Sequence, residues 1–596
     1  MLPQLITGTV TVPDTVTHLI PACCAQCKIS HIIFPSSLIE IGGYSFYGCK
    51  ALEDAVIPDS VTTIDGSAFR YCSKLTSVKM SKNVTSLSAY CFGNCGLTSF
   101  EIPDSVRTIH EYCFQACNSL KKVIIPDNIT MIYGNAFEST TKIEFGPNSN
   151  YYIDNQNLII DKDNTTIVQY IGQNIAKEFL IIKTIKTISG GAFKEKSLLS
   201  RIEFEQDSVL EKISSFSFQG CTNLVFVNLP STITRIDINA FEGCQKLEQI
   251  SLSKLLALGS YSFQNCINLK TVNFGTSPLI QIGISAFSGC SKLTTFMLPE
   301  NVKYLLDNAF ESTPSLSTLT FLSSIETISD YCFSGSGLTQ VDLSMCTKMT
   351  NISQFCFSNC INLETITFPD SIQTIGIFSF KNTKLRKLVL PVNTASIGNS
   401  AFQDCTELTY FEILENSKLQ NIGLSAFRNC YNLQNISCPN DRSRLFTVMT
   451  GALFNVEMTI LYLYPPASPI TFFSLPGTVT TIDQGAFIGC TNLISVLIPS
   501  NSVTRISTSA FEGCSNLISI NIPLCVKTVD QNAFLGCDKL VCGVYIESKN
   551  KTFIQSVIDN DGLPKSSYQS CSNRQNSIKC NIPRINPQYY LVFILM

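Results

Sequence analysis

Apolar and polar positions recur along this chain with a long period, and one cluster marks each turn of it. A small residue is followed by Phe, two variable residues, Cys, two more variable residues and Leu. The cluster reads SFYGC at Phe46, AFRYC at Phe69, CFGNC at Phe92, CFQAC at Phe114 and AFEST at Phe137. It returns at Phe193, Phe218, Phe241, Phe263, Phe287, Phe310, Phe333, Phe357, Phe380, Phe402 and Phe427, and again at Phe487, Phe511 and Phe534. Neighbours within a run lie 22 to 25 residues apart, most often 23. An earlier copy stands in ACCAQC, with Cys24 in the Phe place 22 residues before Phe46, so twenty copies are recognisable.

Between clusters the pattern is equally regular. After the Leu comes a short alternating stretch closed by Pro, as in LKKVIIP (Leu120–Pro126) and LISINIP (Leu517–Pro523). β-Branched residues in alternation predict a half-buried strand, which Pro ends because it cannot donate to a ladder. A polar turn and a second apolar pair follow, as in DSVTTI (Asp59–Ile64). No stretch between copies has the length or period of a substantial helix. A unit of about 23 residues with one apolar side cannot bury that side alone. The expected fold is therefore a mostly β repeat solenoid, with Leu, strand apolars and Phe all pointing inward.

Units such as IPDSVTTIDGSAFRYCSKL (Ile57–Leu75) and LPSTITRIDINAFEGCQKL (Leu229–Leu247) resemble those of the BspA-like leucine-rich-repeat family, from about Val10 to Leu540. The resemblance implies a right-handed leucine-rich-repeat coil. It also implies a surface antigen or cell-adhesion protein that contacts host or matrix proteins through the solenoid.

Two intervals break the period: Phe137 to Phe193 is 56 residues and Phe427 to Phe487 is 60. Each contains two strand-like stretches around a polar turn, in Asn150–Tyr170 and Arg444–Pro466, which predicts an inserted β-hairpin. Their aromatics, Tyr151, Tyr152, Tyr170, Phe446, Tyr462 and Tyr464, either form binding knobs or seal the hairpin against the solenoid. Lys551–Leu563 spaces its apolar residues as a short amphipathic helix, read as a cap over the last coil. The expected organisation is leucine-rich repeats at 1–137, a hairpin-bearing repeat at 138–185, repeats at 186–427, a second hairpin-bearing repeat at 428–480, repeats at 481–541, and a cap and tail at 542–596.

Composition changes this picture in one respect, the 27 cysteines. Fifteen of them occupy one place in the repeat, from Cys27 and Cys49 to Cys514 and Cys537, and four more directly precede the repeat Phe. A regular position predicts a column of buried, mostly unpaired thiols rather than a disulfide framework, since strand spacing exceeds the Cβ separation a disulfide requires. Cys542, Cys571 and Cys580 fall outside the column and are the disulfide candidates. Cys24-x-x-Cys27 and Cys91-x-x-x-Cys95 lack the partners a zinc site needs, so no metal or cofactor is expected. The Asn that precedes the repeat Leu, as in Asn223, Asn268 and Asn516, is assigned to backbone bonding of the turn.

A formal net charge of −3 and the absence of like-charge runs argue against nucleic acid. The three histidines, His18, His31 and His110, form no recognisable triad, and no phosphate loop is present, so no enzyme activity is expected. Met1–Thr17 lacks a basic and apolar leader pattern, and the longest terminal apolar run, Tyr589–Met596, is eight residues. That run is read as a docking peptide or as the start of a span. Cell-surface or secreted location follows from the resemblance, with cytoplasm the alternative. Outward positions of the strands, Thr76, Lys79, Glu364 and Thr367, are the candidate ligand-facing residues, and Tyr151, Tyr152, Tyr462 and Tyr464 the candidate hairpin knobs. The expected partners are proteins or glycans; the alternative role is an intracellular scaffold for protein–protein interaction.

Overall fold

The structure is a computed structural model that describes residues 6–137, 142–172, 177–438, 445–540, 544–560 and 562. The three disulfide candidates Cys542, Cys571 and Cys580 and the Tyr589–Met596 run lie outside the described residues. Among the described residues, forty-eight strands and one ten-residue helix make up the regular structure, and the fold is a parallel β-solenoid. The chain divides into two units, Met1–Leu338 and Thr339–Met596.

Each coil has the same three sides. The first is the alternating strand, paired parallel with its equivalents one period away: Lys28–Ile33, Asp54–Val56 and Ser77–Lys79 in the first unit, and Lys387–Leu390, Tyr410–Ile413 and Asn435–Ser437 in the second. The second is a two-residue strand such as Thr63–Ile64 or Thr374–Ile375. A turn joins these two sides, with Pro58 O accepting from Val61 N–H at 3.0 Å. The third side is the corner that carries the Phe.

That corner needs two left-handed residues per coil, one two places before the Phe and one two places after it. Asn239 (φ 57°) and Gly243 (φ 70°) flank Phe241 in this way. Gly and Asn tolerate such φ values, which explains their frequency beside the Phe. Between them the corner makes its own ladder to the next coil: Tyr44, Phe46 and Gly48 donate to Gly66, Ala68 and Arg70 carbonyls at 3.2, 2.8 and 2.8 Å. The Phe rings stack behind it in the core, with Phe218–Phe241 at 5.0 Å and Phe263–Phe287 at 5.5 Å, all fully buried.

The cysteine column follows from this corner. Ladder thiols donate to the carbonyl of the ring residue in the preceding coil: Cys72 to Phe46 at 3.1 Å, Cys244 to Phe218 at 3.2 Å, Cys514 to Phe487 at 3.1 Å. All 24 described cysteines are thiols, twenty of them buried. The Asn residues before the Leu reach back likewise, Asn223 Nδ2 to Ser197 O at 2.6 Å and Asn516 Nδ2 to Thr491 O at 2.7 Å.

The two interruptions correct the sequence reading. Each holds three antiparallel strands in place of a two-strand hairpin: Tyr151–Ile153, Leu158–Asp161 and Thr166–Tyr170 in the first, and Phe446–Met449, Ala452–Asn455 and Ile460–Leu463 in the second. The third strand of each pairs parallel with the next coil, through Ile167↔Ile188 and Leu461↔Ile482. A coil with Tyr in the ring place therefore stands inside each gap, Tyr170 being 23 residues before Phe193 and Tyr464 23 before Phe487. Tyr170 stacks 6.2 Å from Phe193, and Tyr464 lies 5.2 Å from Phe487. These two bring the ring places to twenty-two.

The same two coils have a shortened corner. Four residues separate Ile188 from Phe193, but only two separate Ile167 from Tyr170. The missing turn would strand the Phe137 peptide groups, and Gln169 replaces it. Its side-chain Oε1 accepts from Phe137 N–H at 3.3 Å and its Nε2 donates to Phe137 O at 2.6 Å, with Gln169 2% exposed. At the chain's other end, the Lys551–Asn560 helix is capped by Asn550 Oδ1, which accepts from Thr552 N–H at 3.0 Å. It buries Val557 against the last coils.

Candidate functional site

Alternation along the first strand of each coil puts every second side chain outside, and stacking lines them up. In the first unit Thr76 and Lys79 are both exposed on one strand edge. Thr76 Oγ1 donates to Glu53 O at 3.3 Å, and Thr98 Oγ1 donates to Thr76 O at 3.4 Å, so threonine hydroxyls tie successive coils along this face. Lys79 pairs in register with Val56. In the second unit Thr367 is exposed opposite Asp342, and Glu364 is half-buried and bridges Arg386 at 3.3 Å. Thr76 and Lys79 lie in or next to one strand, Ser77–Lys79, in the first unit, and Glu364 and Thr367 in or next to another, Thr365–Thr367, in the second.

Charge on these faces is mixed and largely paired between neighbouring coils. Glu144 sits between Lys122 (2.7 Å) and Lys142 (2.9 Å), which hold its carboxyl below the usual range. Glu248 meets Lys270 at 2.9 Å and Glu412 meets Lys387 at 3.4 Å. These pairs place both signs side by side along the faces.

The faces are also less polar than alternation in the sequence suggested. Val56 is 58% exposed, Ile124 55% and Leu180 51%, each standing among charged neighbours. In the second unit a shallow concavity of ≈ 530 Å³ is lined by Pro469, Thr471, Asn492, Ile494, Asn516, Ile518 and Lys539. Ile494 and Ile518 are exposed on its floor, and Lys539 Nζ donates to Asn516 Oδ1 at 2.6 Å on its rim. Sequence reasoning missed this concavity. Its signal was an isoleucine directly after the repeat Leu in two consecutive units, Leu493-Ile494 and Leu517-Ile518.

The hairpin knobs are corrected in two of four positions. Tyr464 is 1% exposed, because it fills the ring place and donates its hydroxyl to Ser468 Oγ at 3.2 Å. Tyr151 is 8% exposed, its hydroxyl held by Thr130 O at 3.1 Å and Ile132 N–H at 3.3 Å. Tyr152 is exposed and donates to Asn164 Oδ1, and Tyr462 is half-buried with its ring 5.4 Å from Phe446.

Among the described residues, no group of three His, Cys, Asp or Glu side chains is placed to hold a metal, and no helix is long and apolar enough to cross a membrane. Cys95, half of one weighed zinc motif, donates instead to Phe69 O at 3.1 Å. The histidines serve neighbouring coils; His31 Nδ1 lies 2.8 Å from Asp54 Oδ1.

The sequence profile of the BspA type leucine-rich repeat region matches this chain in six copies, over residues 6–112, 39–156, 144–255, 211–339, 326–449 and 462–583. No enzyme family is among the matches, and no curated protein is similar at a significant level. Similar solved structures include a leucine-rich repeat protein from Eubacterium ventriosum (25% identity, 64% of this chain and 89% of that one, TM-score 0.42). Others are a leucine-rich cell surface protein from Faecalibacterium prausnitzii (20%, 68% and 97%, TM-score 0.33) and the pneumococcal vaccine antigen PcpA (20%, 53% and 78%, TM-score 0.34).

Proposed function

The chain belongs to the BspA type leucine-rich repeat family, and from that membership we propose that it is a non-catalytic binding solenoid, a surface antigen or adhesion protein that contacts host or matrix proteins through its strand faces. The observation that carries the reading is the chemistry of those faces. Exposed apolar residues, Val56 and Ile124, stand among threonine hydroxyls and paired charges over many coils. A wide, mixed surface of that kind suits another protein's surface better than a small molecule, which needs a concave pocket. Thr76, Lys79, Glu364 and Thr367 are the contact residues proposed, with Tyr152 and Tyr462 at the inserted strands. The test is binding of the folded chain to extracellular matrix proteins and glycans on a surface, compared with a Lys79→Glu, Val56→Asp variant. Micromolar binding weakened at least tenfold by the variant supports the reading; binding unchanged by it, or none at all, overturns the assignment of this face.

A second reading has its own observation. Twenty buried thiols suit a reducing compartment, which favours an intracellular scaffold for protein–protein interaction. Thiol titration of the protein taken from its native source separates the two readings: widespread disulfides count against the scaffold.

A further inference from the structure

In the first unit, several corners carry side chains that the core does not ask for. The left-handed place two residues before the ring is filled at low steric cost by Asn135, Asn239 and Asn308 in their coils. In the coils of Phe46, Phe92 and Phe114 the same place holds Tyr44 (φ 60°), Tyr90 (φ 56°) and Tyr112 (φ 60°), and Tyr71 (φ 64°) stands two residues after Phe69. Bulky side chains seldom adopt such φ values, and strain of this kind gathers at functional sites. The rings stand outside the core: Tyr44 is 51% exposed, and Tyr47, Tyr71, Tyr90 and Tyr112 are half-buried. They run from coil to coil, with Tyr44–Tyr47 at 5.6 Å, Tyr47–Tyr71 at 5.3 Å and Tyr90–Tyr112 at 4.7 Å. Arg70 fills the break in the run, its guanidinium 4.9 Å from the Tyr71 ring and 4.1 Å from the Tyr90 ring. Lys194 stands at the far end, 5.0 Å from the Tyr112 ring, with Nζ donating to the Tyr112 hydroxyl at 3.2 Å. Arg70 is the exception among the described arginines. Arg201, Arg235, Arg386, Arg428 and Arg505 pair with carboxylates, and Arg107 donates to backbone carbonyls. The Arg70 guanidinium has neither an ion pair nor a hydrogen bond among the described residues, and its Nε is buried without an acceptor.

We propose that this tyrosine–arginine run is a second contact surface, on the corner side of the coils, for a carboxylate-rich segment of a partner protein. It rests on the binding role proposed above but not on the strand face. Tyr and Arg are the side chains in which binding energy concentrates at protein interfaces. The planar fork of an arginine matches a carboxylate through two parallel hydrogen bonds, which an ammonium group does not. The rings of Tyr71 and Tyr90 hold the Arg70 guanidinium in place and keep water from part of it, which strengthens its pairing with an incoming anion. Lys194, beyond Tyr90 and Tyr112, adds a second positive charge. A segment with acidic residues spaced along it therefore complements the run, and a neutral or basic one does not. Glu111, beside Tyr112, lies 3.8 Å from His110 and forms no ion pair with Arg70.

The experiment follows the fluorescence anisotropy of a labelled hexaglutamate peptide, and of a hexaglutamine peptide, on titration with the folded full chain. Hexaglutamate is expected to bind at least about tenfold more tightly than hexaglutamine. Arg70→Gln is expected to weaken hexaglutamate binding by about tenfold. Lys82→Gln removes the same charge from an exposed turn away from the corner and is expected to change it less than about twofold. Tyr90→Asn puts a residue suited to the left-handed place and is expected to keep the melting temperature while weakening binding by about fivefold. Thermal melts report whether each variant is folded, and the wild-type preference for hexaglutamate stands without them. No such preference, equal weakening by Lys82→Gln and Arg70→Gln, or undiminished binding in a folded Arg70→Gln overturns the proposal. Matrix binding kept while hexaglutamate binding fails leaves the strand-face reading standing and removes this one.

Discussion

At the scale of single residues, the recurring cysteine is explained by two demands on one position. The side chain must be small enough for the space behind the corner, and it must donate to the carbonyl of the preceding ring residue. Cys72, fully buried and 3.1 Å from Phe46 O, meets both. Cys72→Ser keeps the donor and is expected to cost about 1 kcal/mol or less, whereas Cys72→Ala loses donor and volume together and is expected to cost about 2 kcal/mol. Denaturant melts compare them, and an alanine variant as stable as wild type would remove the hydrogen bond from the account. His31 gives a second residue-scale prediction. Asp54 accepts from its ring and raises its pKa above the usual 6.5. A raised folded-state value means stabilisation that is complete below the unfolded pKa and fades as pH climbs through the folded one. An NMR titration should place His31 above 6.5 and return it there in Asp54→Asn; an unshifted His31 contradicts the contact. The column was legible in the sequence, because a fixed place in a repeat means burial. The acceptor was not, since it lies about 26 residues back on the neighbouring coil and no local pattern names it.

At the scale of elements, Pro, Gly, Asn and the alternating apolars specified strands, turns and corners coil by coil. The two interruptions were misread because Tyr170 and Tyr464 stood in for Phe without the flanking small residue and Cys. A search keyed to the Phe motif therefore passed over two coils and inflated the insertions. For the same reason Tyr464 reads in sequence as either a knob or a seal of the hairpin, whereas it is a core ring. The shortened corner at Tyr170 leaves a definite dependence on Gln169, whose amide does what a peptide group does elsewhere. Gln169→Leu keeps most of the volume and strands Phe137 N–H and C=O, at an expected cost of about 1–3 kcal/mol. Hydrogen exchange at the Phe137 amide should accelerate by tenfold or more; unchanged protection there would mean that the corner finds another partner.

At the scale of the whole molecule, stability is a sum over neighbouring coils within each unit, because each ring contacts mainly the one before and the one after. Phe287 stacks on Phe263 at 5.5 Å and on Phe310 at 5.7 Å. Phe287→Ala is expected to cost about 3–5 kcal/mol and to raise exchange in its own and adjacent coils, while leaving coils near Phe46 protected. Uniform loss of protection through the first unit would show that the unit is one cooperative block instead. This near-neighbour architecture lets many coils carry unrelated outward residues over one unchanging core, which is what a binding surface requires. The fold was legible in sequence because every coil repeats the same core; the face that binds was not, because outward positions are free of that repetition. The central claim, display of this surface to partners outside the cell, is tested most directly by antibody labelling of intact cells that produce the protein, before and after permeabilisation and mild surface proteolysis. Labelling of intact cells that is lost after protease is the predicted result, and labelling that appears only after permeabilisation would contradict it.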